Sequence, residues 1–137
     1  MTRVRVRYPE VDRMGIAHHS NHLIWFEIGR TELMRELGVP YSELEESGVF
    51  MPVIETGLRY RTAARYDEEI DVLTRLEEVR GARVRFGYRL TAHGAGRVIA
   101  EGFTVHAATD RNGSARRFPH ELRDRLKAAV PGEGRRA

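Results

Sequence analysis

The chain predicts an α+β fold, and three observations carry that reading. A short alternating stretch leads through a turn into a strongly apolar helical run. After Gly48 the hydrophobic period changes to two and stays there over four further stretches. An antiparallel sheet of that length must cover one face, and the apolar helix is the only candidate to cover it. The 137 residues show no internal repeat and no linker, so one domain over residues 1–137 is expected.

Arg3, Arg5 and Arg7 alternate with Val4, Val6 and Tyr8, which predicts a strand over 3–8. Residues 9–15 form a loop, because Pro9 cannot continue a ladder and Gly15 permits a tight turn. A helix follows over 22–37, stopped by Gly38 and Pro40. Its first two turns are apolar almost all round, the pattern of a helix surrounded by protein. Ser42, with Glu45 three residues on, suggests a capping box for a short second helix. Strands are expected over 53–61, 70–79, 82–91 and 97–109. The third is clearest, with Val84, Phe86, Tyr88 and Leu90 on one face and Arg83, Arg85 and Arg89 on the other. Gly94 and Gly96 mark one turn and Asn112-Gly113 another. A polar helix over 119–130 comes next, and the tail after about 131 is expected to fray.

No apolar run approaches the roughly 20 residues of a membrane span, and Met1-Thr-Arg leads into a strand rather than a signal peptide. Cysteine is absent, which excludes disulfides and thiolate chemistry and suits a cytoplasmic location. Lys127 is the only lysine, so the net charge of +3 rests on arginine. Arginine grips phosphate in a planar fork, which fits nucleic acid or a phosphorylated cofactor. The interleaved acids and the lack of a recognition motif argue against nucleic acid.

Asp12, Gly15 and His19 fall where the first strand hands over to the apolar helix. Backbone N–H groups at a helix start have no intrahelical partner and carry partial positive charge. A carboxylate beside such donors can attack a carbonyl that they polarise. The plainer reading makes Asp12 a helix cap, His19 a hydrogen-bonded residue of the first turn and Tyr8 ordinary strand packing. His18 and His22 share the i, i+4 spacing of metal ligands, but with no cysteine and no third ligand at motif spacing no metal is expected. Glu27 has Arg30 three residues on, an ordinary helical ion pair.

Tyr8, Asp12, Gly15, His19 and Asn21 resemble the signature of hotdog-fold acyl-CoA thioesterases of the 4-hydroxybenzoyl-CoA thioesterase / YbgC type. The stretch from Arg59-Tyr60 through Tyr66-Asp67-Glu68 resembles that family's segment between its second and third strands. The resemblance implies a sheet wrapped around a long central helix, with subunits paired edge to edge as a homodimer or homotetramer. It also implies active sites at the subunit interface. It makes Asp12 the catalytic carboxylate, gives His19 the main-chain N–H that faces the thioester oxygen, and sets Tyr8 near the acid. Val11, His18, His22 and Ala63 depart from the family pattern at positions touching the acyl pocket.

The expected reaction is hydrolysis of a fatty or aromatic acyl-CoA, with Asp12 as nucleophile or as general base toward water. N–H groups between Gly15 and His19 would hold the oxyanion, and no cofactor is needed because coenzyme A belongs to the substrate. Cationic partners for the coenzyme phosphates are expected at Arg80 and Arg83, in the turn between two strands, and less so at Arg59 and Arg61. A hotdog hydratase or dehydratase and a non-catalytic acyl-CoA-binding module are the alternatives.

Overall fold

The computed structural model describes residues 1–131, so the expectation of a frayed tail over 132–137 lies outside the described residues. Five strands form one antiparallel sheet: β1 (Thr2–Arg5), β2 (Val53–Tyr60), β3 (Glu69–Arg80), β4 (Arg83–Ala92) and β5 (Val98–Ala107). Their order across the sheet is β1-β3-β4-β5-β2, which leaves β1 and β2 at the edges. Helix α1 (Asn21–Glu36), 16 residues long, packs on one face. A short α2 (Tyr41–Glu46) and a terminal α3 (His120–Ala128) complete the described helices.

The period-two pattern sorts the sheet as expected. Val84, Phe86, Tyr88 and Leu90 of β4 are buried, while Arg83 and Arg89 face solvent. From α1, Trp25, Phe26 and Met34 enter this core, and the Phe26 ring stacks on Tyr88 at 4.2 Å. Gly29 sets the spacing between helix and sheet, because a Cβ there would lie 2.4 Å from Thr74 Oγ1 and 2.6 Å from Val72 Cγ1.

Four local expectations need correction. The first strand ends at Arg5, and Tyr8–Glu10 winds into a 3-10 turn in which the Arg7 N–H donates to Glu10 Oε1 at 2.7 Å. Pro40, not Ser42, occupies the N-cap of α2, so no capping box forms there. Glu27 and Arg30 do not pair. Arg30 is buried, donating from Nε to Tyr41 Oη at 2.9 Å and from Nη1 to Tyr88 Oη at 3.1 Å, while Glu27 stays exposed. Nor does protein surround the first turns of α1: Leu23, Ile24 and Ile28 are about 40% exposed on the side away from the sheet. A single sheet covers only one side of a helix, and a uniformly apolar start calls for a second cover.

Candidate active site

Asp12 sits at the tip of a small hairpin that precedes α1, rather than at the helix start itself. The hairpin is laddered by Asp12 N–H to Ile16 O at 2.9 Å and His18 N–H to Glu10 O at 2.8 Å. Gly15 turns it with φ +75°, a conformation that side chains disfavour. Asp12 Oδ1 accepts from the N–H groups of Met14 at 2.8 Å and Ile16 at 3.2 Å. That anchors one carboxylate oxygen and leaves Oδ2 without a hydrogen bond among the described residues. Asp12 therefore caps its own turn, not α1, whose N-cap Ser20 makes no side-chain capping bond.

The stretch between β2 and β3 clamps this hairpin from the side. Ala17 N–H donates to Ala64 O at 2.8 Å and Tyr66 N–H to Gly15 O at 2.9 Å, and Ile16 bridges Arg65. Arg97 holds the clamp together, donating to Thr62 Oγ1 at 2.7 Å and Ala63 O at 2.9 Å and pairing with Glu68.

Of the five N–H groups from Gly15 to His19, four are spent inside the fold. Those of Gly15, Ile16, Ala17 and His18 donate to Asp12 O, Asp12 Oδ1, Ala64 O and Glu10 O respectively. Gly15 thus serves the turn and offers no free donor. Only the His19 N–H has no acceptor among the described residues. The His19 carbonyl accepts from Tyr60 Oη at 2.8 Å and from His22 Nδ1 at 3.1 Å. A carbonyl only accepts, so His22 carries its proton on Nδ1. Burial lowers the His22 pKa, which keeps the ring neutral.

Tyr8 packs edge-on against Tyr66, with ring centroids 5.8 Å apart, and makes no hydrogen bond to Asp12. Tyr8, Asp12 and His19 are exposed in the single chain, and none of them lines the clefts on the outer sheet face, beside the β3–β4 turn or between α1 and α2. Arg80 and Arg83 flank the β3–β4 turn at the opposite end of the sheet. The 12 residues of β3 span about 35 Å, so one chain does not bring that turn to Asp12. Arg80 approaches Glu78 at 3.5 Å, and Arg61 approaches Glu101 at 3.4 Å. Arg59 lies with Arg61 on the outer sheet face. Beside the turn is a cleft of about 520 Å³ lined by Gly81, Ala82, Arg116, Arg117, Arg123 and Lys127, with no acid among its lining residues.

An antiparallel sheet with a helix on one face, preceded by a hairpin that anchors a carboxylate, matches the frame of a thioesterase-type hotdog protein. The chain belongs to the thioesterase-like superfamily, whose family model matches residues 6–126. It is 36% identical over 108 residues to the putative acyl-CoA thioesterase YneP of Bacillus subtilis, covering 79% of this chain and 78% of that one. A hypothetical protein, TT1821 from Thermus thermophilus, superposes with a TM-score of 0.86 at 39% identity over 93% of this chain and 97% of that one. The DHNA-CoA thioesterase from Staphylococcus aureus gives a TM-score of 0.84 at 28% identity, over 93% and 89%.

Proposed function

We infer that the chain is an acyl-CoA thioesterase that hydrolyses a fatty or aromatic acyl-CoA to the free acid and coenzyme A. The observation that carries this reading is Asp12, with one oxygen tied down and the other without a hydrogen bond among the described residues, on the loop that leads to His19, whose N–H is the one of the five from Gly15 to His19 with no acceptor among the described residues. The thioester oxygen accepts from His19 N–H, and charge developing on it in the tetrahedral state strengthens that bond. Such a donor contributes roughly 3–4 kcal/mol of transition-state stabilisation. Asp12 Oδ2 either attacks the carbonyl carbon, giving an anhydride that water cleaves, or takes a proton from an attacking water. The thiolate of coenzyme A leaves in either route. Tyr8 and the His19 ring border the approach to the acid.

The active unit in this reading is a homodimer. Edge strand β2 carries exposed Val53 and Ile54, and α1 exposes Leu23, Ile24 and Ile28. Antiparallel pairing of two β2 edges hides these residues and makes α1 the covered central rod of the fold. The Tyr60 end of β2 lies at the Asp12 loop, and its Val53 end lies level with the Arg80–Arg83 turn. Two-fold pairing therefore brings one copy's basic turn toward the other copy's acid, with Arg80, Arg83 and the adjoining basic cleft facing the coenzyme phosphates.

The test is a panel of acyl-CoAs of differing length and aromaticity, read by release of free thiol. Turnover of at least one member with one thiol per acid formed is expected. Saturable binding of every member without thiol release would leave a binding module instead.

A further inference from the structure

Two side chains with no assigned role set the direction of the His19 amide. A trans peptide is planar, so its C=O and N–H point in opposite directions. The carbonyl of the 18–19 peptide, His18 O, accepts from Asn21 N–H at 3.1 Å and from Asn21 Nδ2 at 3.1 Å. The second hydrogen on Asn21 Nδ2 goes to Glu10 O at 2.9 Å, the same carbonyl that pairs with His18 N–H across the hairpin. Asn21 is 8% exposed, so both bonds are made inside the fold. With His18 O drawn toward the start of α1, the His19 N–H is turned the opposite way, away from Asn21.

The next peptide is held from the other side. Tyr60 Oη and His22 Nδ1 both donate to His19 O, and Ser20 N–H donates to His18 Nδ1 at 3.3 Å. Consecutive peptides on either side of the His19 Cα are thus pinned by their carbonyls, and the amide between Asn21 and Tyr60 has little freedom to turn. We propose that Asn21 and Tyr60 are positioning residues that preset the His19 N–H for the oxyanion, Asn21 through the peptide before His19 and Tyr60 through the peptide after it. The proposal rests on the thioesterase reading of this site. Its physical content is that a donor already aimed needs no reorganisation as charge develops, whereas a donor turned away by tens of degrees loses most of its hydrogen bond.

The experiment compares wild type with Tyr60→Phe and Asn21→Ala, using an acyl-CoA that the wild type hydrolyses. Tyr60→Phe keeps the ring that packs edge-on against His22 at 4.8 Å and removes only the hydroxyl. The expected result is kcat lowered about 3–10-fold in Tyr60→Phe and about 10–100-fold in Asn21→Ala, with KM within about twofold, since removal of a whole donor costs 10²–10³. Unchanged kcat in both folded variants, or a raised KM at constant kcat, would overturn the proposal. If Asn21→Ala does not fold, Tyr60→Phe decides alone. If the wild type hydrolyses no acyl-CoA, the thioesterase reading fails by itself. The preset amide is then judged by the ¹H–¹⁵N resonance of His19, which must move in the folded variants, and an unmoved resonance refutes it.

Discussion

Acidification from pH 7 to 4 should remove about 3 kcal/mol of folding stability through a single side chain, His106. Its ring is fully buried on β5, with Nδ1 2.9 Å from Met51 O and Nε2 2.8 Å from Thr104 Oγ1. Because Met51 O can only accept, Nδ1 holds the proton and Nε2 accepts from the Thr104 hydroxyl. That hydroxyl lies 2.6 Å from Tyr88 Oη, which accepts in turn from Arg30. Protonating Nε2 would set an N–H against the Thr104 O–H and leave a charge in the core near a buried arginine. Burial accordingly pushes the His106 pKa from 6.5 down to about 4. The unfolded chain takes up this proton below pH 6.5 and the folded chain does not until about pH 4. Stability from this group is therefore complete above 6.5 and lost as pH falls between the two values. A gap of about 2.5 units corresponds to about 3 kcal/mol. Urea unfolding of wild type and His106→Gln at pH 7, 6, 5 and 4 isolates the effect from the carboxylates, which titrate alike in both. The wild-type stability should fall by about 3 kcal/mol more than that of the variant. Parallel pH curves would refute the assigned proton positions.

Two further outcomes follow from packing and from the proposed assembly. Gly29→Ala should lower stability by about 1–3 kcal/mol in urea titration, despite alanine's better helix propensity, because its Cβ would collide with Val72 and Thr74 on β3. Ile54→Arg, on the exposed β2 edge, should shift the mass by light scattering to that of one chain and reduce turnover along with it. Full activity from a single-chain species would remove the need for a partner.

The parts of the fold that were legible in the sequence are those governed by period. The alternation Val84, Phe86, Tyr88, Leu90 maps directly onto the buried face of β4, and the apolar run from Leu23 gives α1 to within a residue or two. What misled was local chemistry that depends on distant partners. Ser42 and Glu45 have capping spacing, yet Pro40 starts α2. Arg30 has a helical neighbour of opposite charge, yet two phenols, one of them 58 residues away, draw it inward. At the site, Asp12, Gly15 and His19 were visible as residue types at a turn. The selection of His19 as the one unspent N–H among the five from Gly15 to His19 was not, because Ala64 consumes a neighbouring donor from a separate loop. Asn21 and Tyr60 were visible as members of matching stretches, but their hydrogen bonds to His18 O and His19 O need the assembled hairpin.

The proposed chemistry turns most directly on Asp12→Asn, which keeps the side-chain oxygen that accepts from Met14 and Ile16 and removes the charge. Its kcat on the best acyl-CoA of the panel should fall by two or more orders of magnitude, with the melting temperature within a few degrees of wild type. Thiol release by a folded Asp12→Asn at near wild-type rate would contradict the assignment of the carboxylate.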